Sequence, residues 1–425
     1  MTHDCCDPAA IDRRGFVRLS VAGYLGLALG ARSAFADGPS RPASKAAQAC
    51  IVLWLNGAPS QFETFDPKPG VAEGGPTKAI PTAVKGIQLA ETLPRLAEQM
   101  QHVALIRSMS TKEGNHQRAR YYLHTGYVPS GTVQHPDLGS LICQQRADAS
   151  NELPPYVAIS GATPGPGVLG VQLAPFTIQD PKKPVANLAY PAGVDEARFS
   201  RRRELLDRLT RGFVKEHPGP ETAGHSAVYA RADKLMHSAR VQAFDLSGEP
   251  ARLREAYGPT AFGAGCLMAR RLVEQGVKVV EVQLNGWDTH KDNFERTKKL
   301  GEQLDMGFAT LIADLRERDL LQKTLIVCMG EFGRTPKING DDGRDHYARA
   351  FSLALAGGPI RGGQVIGATS TDGSKVMERP ISPPELMATI CEAMGMDREH
   401  VNHTPQGRPI TVVDQSAPPI KELFA

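Results

Sequence analysis

From residue 50 onward, short apolar runs alternate with amphipathic stretches. Cys50–Leu55, Val103–Arg107, Tyr156–Ser160, Lys278–Leu284, Thr324–Met329 and Phe351–Ala356 are compact runs, several of them continuously apolar. Such runs predict strands covered on both faces. Apolar residues at helical spacing predict helices around Glu91–Gln101, Asn115–His124, Asp137–Arg146, Phe199–Phe213, Ser226–Phe244, Thr260–Glu274, Phe294–Arg318 and Pro384–Met394. The clearest stripe, Leu300, Leu304, Phe308, Leu311 and Leu315, faces a core. Strand and helix alternating in this way predict an α/β fold, a doubly wound, mostly parallel sheet with helices on both faces.

Two segments break the alternation. Gly161-Ala162-Thr163-Pro164-Gly165-Pro166-Gly167 opens a Pro/Gly-rich stretch, residues 161–195, read as an irregular loop insertion. Its length suits a lid or a binding surface, with a floppy insertion as the alternative. Between Glu331 and the strand at Phe351 about twenty residues carry no helix signal. A connection without a helix predicts antiparallel pairing of the flanking strands, which keeps the loop on the same rim as Glu331.

The N-terminus carries Arg13-Arg14-Gly15-Phe16-Val17-Arg18, then an apolar run from Leu19 to Leu29 and Ala34-Phe35-Ala36. Residues 1–36 are expected to be a twin-arginine signal peptide, 37–49 a linker, and 50–425 a single α/β domain. The plainer alternative is a buried amphipathic helix with a basic end. Export implies the twin-arginine machinery as a partner and a periplasmic or secreted location. Because that route carries folded proteins, often with a cofactor already loaded, it raises the expectation of a metal. The run is too short to span a bilayer, and no second run reaches membrane length, so no transmembrane segment is expected in the mature chain.

Composition excludes several classes. Across 425 residues, 49 Lys+Arg against 46 Asp+Glu leave a formal charge of +3, without the basic excess that binding a phosphate backbone requires; nucleic acid is not an expected partner. Gly and Pro show no triplet period, which removes collagen-like readings. Beyond residue 36 the cysteines are Cys50, Cys143, Cys266, Cys328 and Cys391. An odd number without a CxxC pair argues against a disulfide framework and a zinc ribbon.

In an open parallel sheet, ligands bind beyond the carboxyl ends of the strands. Three exits there are rich in polar residues: Asn56-Gly57-Ala58-Pro59-Ser60, Asn285-Gly286-Trp287-Asp288-Thr289-His290 and Gly330-Glu331-Phe332-Gly333-Arg334. Asp288 and His290, two apart in an extended loop, point the same way and suit two ligands of one ion; the competing role for Asp288 is capping the helix near residue 292. Asp345 and His346 join them as candidates, against the alternative of a solvated acidic turn. His116, Arg120 and His124 share one helix face, and a helix N-terminus carrying His and Arg is a natural anion site. The candidate ligands Asn56, Asp288, His290, Glu331, Asp345 and His346 mix oxygen and imidazole, which favours zinc or manganese, with calcium possible. Such an ion polarises an ester oxygen or activates water, Arg120 balances charge on the substrate, and His116 is open between ligand, general acid and nucleophile.

These motifs in order resemble the alkaline phosphatase and sulfatase superfamily, and more closely the sulfatase-like domain-of-unknown-function family 1501. The resemblance rests on Trp54–Ser60 with Thr64-Phe65-Asp66-Pro67-Lys68, His116–Gly126, Gly286–His290, Gly330–Pro336, Gly343–His346 and Gly357–Gly363. It implies an alkaline phosphatase-like fold. Sulfatases place a formylglycine-forming Cys or Ser nine residues before a Thr-Gly, and that position here is His116, with the pattern's Arg at Arg120. Their paired aspartates after the first strand are replaced by Asn56 and Gly57, and a later Asp-His by Glu331-Phe332. The expected function is an exported metal-dependent hydrolase of phosphate or sulfate esters, lacking the formylglycine nucleophile and acting on an anionic small-molecule or glycan ester. The alternative is a non-catalytic protein of the same fold that binds an anionic glycan or a protein partner. An unrelated exported oxidoreductase is the weakest alternative, since neither a dinucleotide glycine motif nor a haem attachment motif is present.

Overall fold

In the computed structural model the described residues are 46–217 and 219–424; the twin-arginine stretch and most of the linker lie outside them. The main strands are β1 (Ala49–Asn56), β2 (Val103–Met109), β3 (Tyr156–Ile159), β4 (Phe176–Ile178), β5 (Val279–Asn285), β6 (Thr324–Met329), β7 (Gly333–Ile338), β8 (Arg344–Tyr347), β9 (Phe351–Gly357) and β10 (Gln364–Ile366). The main helices are α1 (His116–Thr125), α2 (Leu138–Arg146), α3 (Glu196–Glu216), α4 (Pro220–His237), α5 (Ala261–Glu274), α6 (Asn293–Glu317) and α7 (Pro383–Ala393).

Eight strands form one sheet in the order β10-β2-β9-β6-β1-β5-β3-β4. Only β9 runs against the rest, pairing antiparallel with both β6 and β2. The apolar β1 lies near the middle, and the two-residue period sorts its side chains between two cores. Ile51, Leu53 and Leu55 pack on one face with Leu304, Phe308 and Leu311 of α6. Cys50, Val52 and Trp54 pack on the other with Leu141 of α2 and Leu386 and Ile390 of α7. Helices thus cover both faces, and each fully buried Leu or Ile in these layers contributes about 1.5–3 kcal/mol. The α/β fold expected from the pattern is the one observed.

Register brings the polar exits together. Asn56 lies opposite Asn285, and Trp54 opposite Met329, so β1, β5 and β6 end at one level. Because β9 is antiparallel to β6, the segment between them returns along the same rim. That segment is a β7–β8 hairpin rather than an irregular loop, with Arg344 opposite Ile338 and His346 opposite Arg334.

Other differences have local causes. β4 and β10, the two edge strands, have three residues each, too few to show a period. β4 falls inside the 161–195 stretch and pairs parallel with β3, so that stretch is not wholly irregular. The helix expected over 91–101 shortens to Pro94–Glu98. The one expected over 226–244 is displaced: α4 ends at His237, and Ser238 caps a separate 3-10 turn. No helix among the described residues is long and apolar enough to cross a membrane.

Candidate metal centre

Three strand exits, the start of α1 and the β7–β8 hairpin meet at this rim. Asn115 begins α1 by accepting a hydrogen bond from Arg118 N (3.2 Å), which puts His116 at its first position. After β1 the chain turns at Gly57, whose φ is +111°; a Cβ there would sit 2.5 Å from Asp288 N. Glycine therefore lets the loop carrying Asp288 approach β1. A Cβ at Gly343 would meet His290 O at 1.8 Å, so the hairpin closes on the same loop. Asp288 does not cap α6, whose N-cap position is held by Asp292.

Each of three histidines has its Nδ1 against a group that can only accept. His116 Nδ1 donates to Glu331 Oε1 (2.7 Å), His290 Nδ1 to Asp345 Oδ1 (2.8 Å) and His346 Nδ1 to the Gly114 carbonyl (2.9 Å). With Nδ1 carrying the hydrogen, each neutral ring presents a lone pair at Nε2. These Nε2 atoms surround Asp288 Oδ1 at 3.5 Å from His116, 3.2 Å from His290 and 3.4 Å from His346. The Nε2 atoms of His290 and His346 are themselves 3.0 Å apart. His116 Nε2 is buried without a hydrogen-bond partner.

The three Nε2 lone pairs crowd one another and Asp288 Oδ1, which takes its hydrogen from Arg334, and a cation among them reverses the repulsion. Among the described residues His116, Asp288 and His346 form a group able to hold a metal ion, with donor atoms all within 4.8 Å of one another; His290 is not part of that group but lies 3.2 Å from Asp288 Oδ1. A tetrahedral first-row ion bound at about 2.0–2.1 Å has ligand–ligand edges of about 3.3–3.4 Å. The three separations from Asp288 Oδ1, 3.2 to 3.5 Å, and the 3.0 Å between His290 and His346 lie near that figure.

The supporting groups fix charge and aim. Arg334, fully buried, donates to Asp288 Oδ1 (2.6 Å), to the Ala58 carbonyl (2.9 Å) and to the carbonyls of Gly57, Trp287 and Arg344. Burial pushes the Asp288 carboxyl up, but the Arg334 hydrogen bond and charge more than reverse this, taking it to about 2. The Glu331 hydrogen bond raises His116, while burial lowers His346. The hydrogen bond from His290 lowers Asp345.

The predicted residues divide accordingly. Asp288, His290 and His346 converge, and His116, left open between ligand, general acid and nucleophile on sequence grounds, converges with them. Glu331 and Asp345, expected as ligands, stand behind His116 and His290 and hold their Nδ1 atoms instead. Asn56 turns sideways, accepting from Trp54 Nε1 (3.3 Å) and donating to Asn285 Oδ1 (3.0 Å). Arg120, expected to face the substrate, lies over the Trp54 ring (5.6 Å), donates to the Ala162 carbonyl and is 3.8 Å from Glu281. His124 is buried against Glu281 (3.1 Å). Sequence reasoning assigned no role to Arg334 or Glu281; the available signal for Glu281 was one charge inside the apolar run Val279–Leu284.

A family model described as "Protein of unknown function (DUF1501)" matches residues 47–424. The chain belongs to the DUF1501 family. The matched span holds every residue of the centre, and the family is the one that the ordered motifs resemble. No curated protein matches this DUF1501 member. Solved structures similar to it include Ps i-CgsB in complex with k-i-k-neocarrahexaose, 12% identical with a TM-score of 0.41, covering 83% of this chain and 72% of that one. PsFucS1 sulfatase from Pseudoalteromonas sp. is 13% identical with a TM-score of 0.38, covering 84% and 69%. A TAB5 alkaline phosphatase mutant with Mg bound is 12% identical with a TM-score of 0.38, covering 83% and 99%. The chemistry of this DUF1501 member rests on its own residues.

Proposed function

We propose that this protein is an exported metal-dependent hydrolase of phosphate or sulfate esters, with His116, Asp288, His290 and His346 holding one divalent ion. The observation that carries the reading is the convergence of three imidazole Nε2 atoms on Asp288, each ring pinned from behind through Nδ1. Histidine ligands of metals characteristically give their second nitrogen to a carboxylate or carbonyl in this way. Three imidazoles and one carboxylate favour zinc or manganese over calcium.

A bound divalent ion supplies a Lewis acid for an ester oxygen and a water of lowered pKa. The protein supplies the frame. Glu331 and Asp345 orient His116 and His290, and Arg334 keeps Asp288 ionised and aimed. Among the described residues burial pushes the five cysteine thiols up, and position 116 is a histidine, so none of these five thiols is the proposed nucleophile. The Arg13-Arg14 segment supports export, and an anionic ester, small or on a glycan, is the proposed substrate.

One observation favours the second reading, a non-catalytic protein that binds an anionic glycan or a protein partner. Arg334, the guanidinium beside the centre, and Arg120, drawn off to the Ala162 carbonyl, both donate to acceptors of the protein. The test is hydrolysis of 4-nitrophenyl phosphate and 4-nitrophenyl sulfate by the zinc- or manganese-loaded full chain. The hydrolase reading expects turnover that chelation abolishes and His346→Ala lowers at least 100-fold. A metal-loaded protein that turns over neither ester supports binding without hydrolysis.

A further inference from the structure

Helix α3 has 21 residues, none of them buried. Its half-buried side, Phe199, Leu206, Thr210 and Val214, faces inward, and Arg203 pairs with Asp233 of α4. Leu205, Leu209 and Phe213, four residues apart, line up on the outer side at 52%, 64% and 55% exposure. Val228 and Tyr229 of α4 are exposed as well, so five of the nine exposed large apolar residues described belong to these two helices. The stripe runs about 12 Å along the axis.

Arginines border that stripe, while Arg203, Arg211 and Lys215 lie elsewhere on the helix. At 100° per residue, Arg198, Arg201, Arg202 and Arg208 fall within about 100° of its centre, and all four are exposed. Glu196, Glu204 and Asp207 lie about 140° or more away, leaving Glu216 at the last position as the one acid near the stripe. An apolar line bordered by arginines is the pattern of a helix that lies in the plane of an anionic lipid surface.

We infer that α3 docks this protein on an anionic membrane surface, with Leu205, Leu209 and Phe213 entering the acyl boundary and the arginines meeting lipid phosphates. The docking is independent of the metal centre.

The test is co-sedimentation of the full chain with vesicles of equal parts phosphatidylglycerol and phosphatidylcholine, and with pure phosphatidylcholine, at low salt. Binding is expected to the mixed vesicles only. Each neutralised arginine costs about fivefold, so Arg201→Gln/Arg202→Gln/Arg208→Gln lowers partitioning about 100-fold. Leu209→Ser/Phe213→Ser lowers it at least tenfold, and both variants keep the parent melting temperature because the replaced side chains are exposed. The inference fails if the parent chain ignores the mixed vesicles, or if both variants bind as the parent does. A dimer that Leu209→Ser/Phe213→Ser dissolves, without vesicle binding, assigns the stripe to self-association and also overturns it.

Discussion

Glu331 offers a sharp test of how the centre is held. Its carboxylate is 1% exposed; Oε1 accepts from His116 Nδ1 at 2.7 Å and from Gly57 N at 3.0 Å, and Oε2 is buried without a partner. Glu331→Gln keeps an oxygen for both donors, so the His116 tautomer survives, but the charge that strengthens Nε2 as a donor is lost. Removing a partner of this kind lowers metal affinity about 10- to 100-fold, or about 1.4–2.7 kcal/mol. The new amide N–H₂ falls where Oε2 has no partner, which costs a further 1–3 kcal/mol or so of folding stability. Glu331→Leu removes the acceptor altogether, frees the ring to turn and is expected to weaken binding more than Glu331→Gln does. Chelator competition with zinc gives the affinity, and urea denaturation of the metal-free protein gives the stability. Equal zinc affinity in the parent and both variants would refute the role given to Glu331.

Three further predictions concern the frame. Arg270, 1% exposed, bonds Glu249 (2.7 Å), Glu274 (2.9 Å) and Asp314 (2.9 Å); Arg270→Leu removes a buried partner from each, although Arg271 still pairs with Glu249 and Arg318 with Glu274 and Asp314, and lowers stability by about 1–3 kcal/mol in urea denaturation, whereas a loss near zero would show the network to be dispensable. Gly57→Ala puts a Cβ into Asp288 N at a φ of +111°; zinc affinity and melting temperature both fall, and an unchanged affinity would show that the Asp288 loop is not held by this approach. Burial pushes the Glu281 carboxyl up, but His124 outweighs it and holds Glu281 below its ordinary value. A lowered carboxyl stabilises the fold above about pH 4.3 and loses that contribution as pH falls through the folded value. Stability measured from pH 6 to 3 therefore falls more steeply in the parent than in Glu281→Gln, and equal slopes would contradict the pairing.

The six interior strands were legible because strands buried on both faces read as continuous apolar runs, and the rim was legible because every polar exit sits at a strand's carboxyl end. The β7–β8 hairpin was hidden, since Gly333–Ile338 and Arg344–Tyr347 lack apolar alternation and only the turn Asn339–Gly343 marks them. Which polar residues face inward was not legible. Asn56 and Asp288 leave adjacent strands at the same level, yet Trp54 and Asn285 turn Asn56 aside while Arg334 turns Asp288 in. The exchange of roles between His116 and Glu331 has the same origin, because β6 brings Glu331 behind α1 across 215 residues of sequence. Spacing on one helix face grouped His116 with Arg120 and His124, but packing against Trp54 and Glu281 drew those two away.

The central claim is that three imidazoles and Asp288 hold one ion, and metal content tests it most directly. Inductively coupled plasma mass spectrometry on the purified full chain, after zinc or manganese supplementation and dialysis, is compared with His290→Ala and His346→Ala. The account predicts about one equivalent of a first-row divalent metal in the parent and loss of most of it in both variants, each of which remains folded by circular dichroism. A folded parent that retains no metal, or variants that retain as much as the parent, would contradict it.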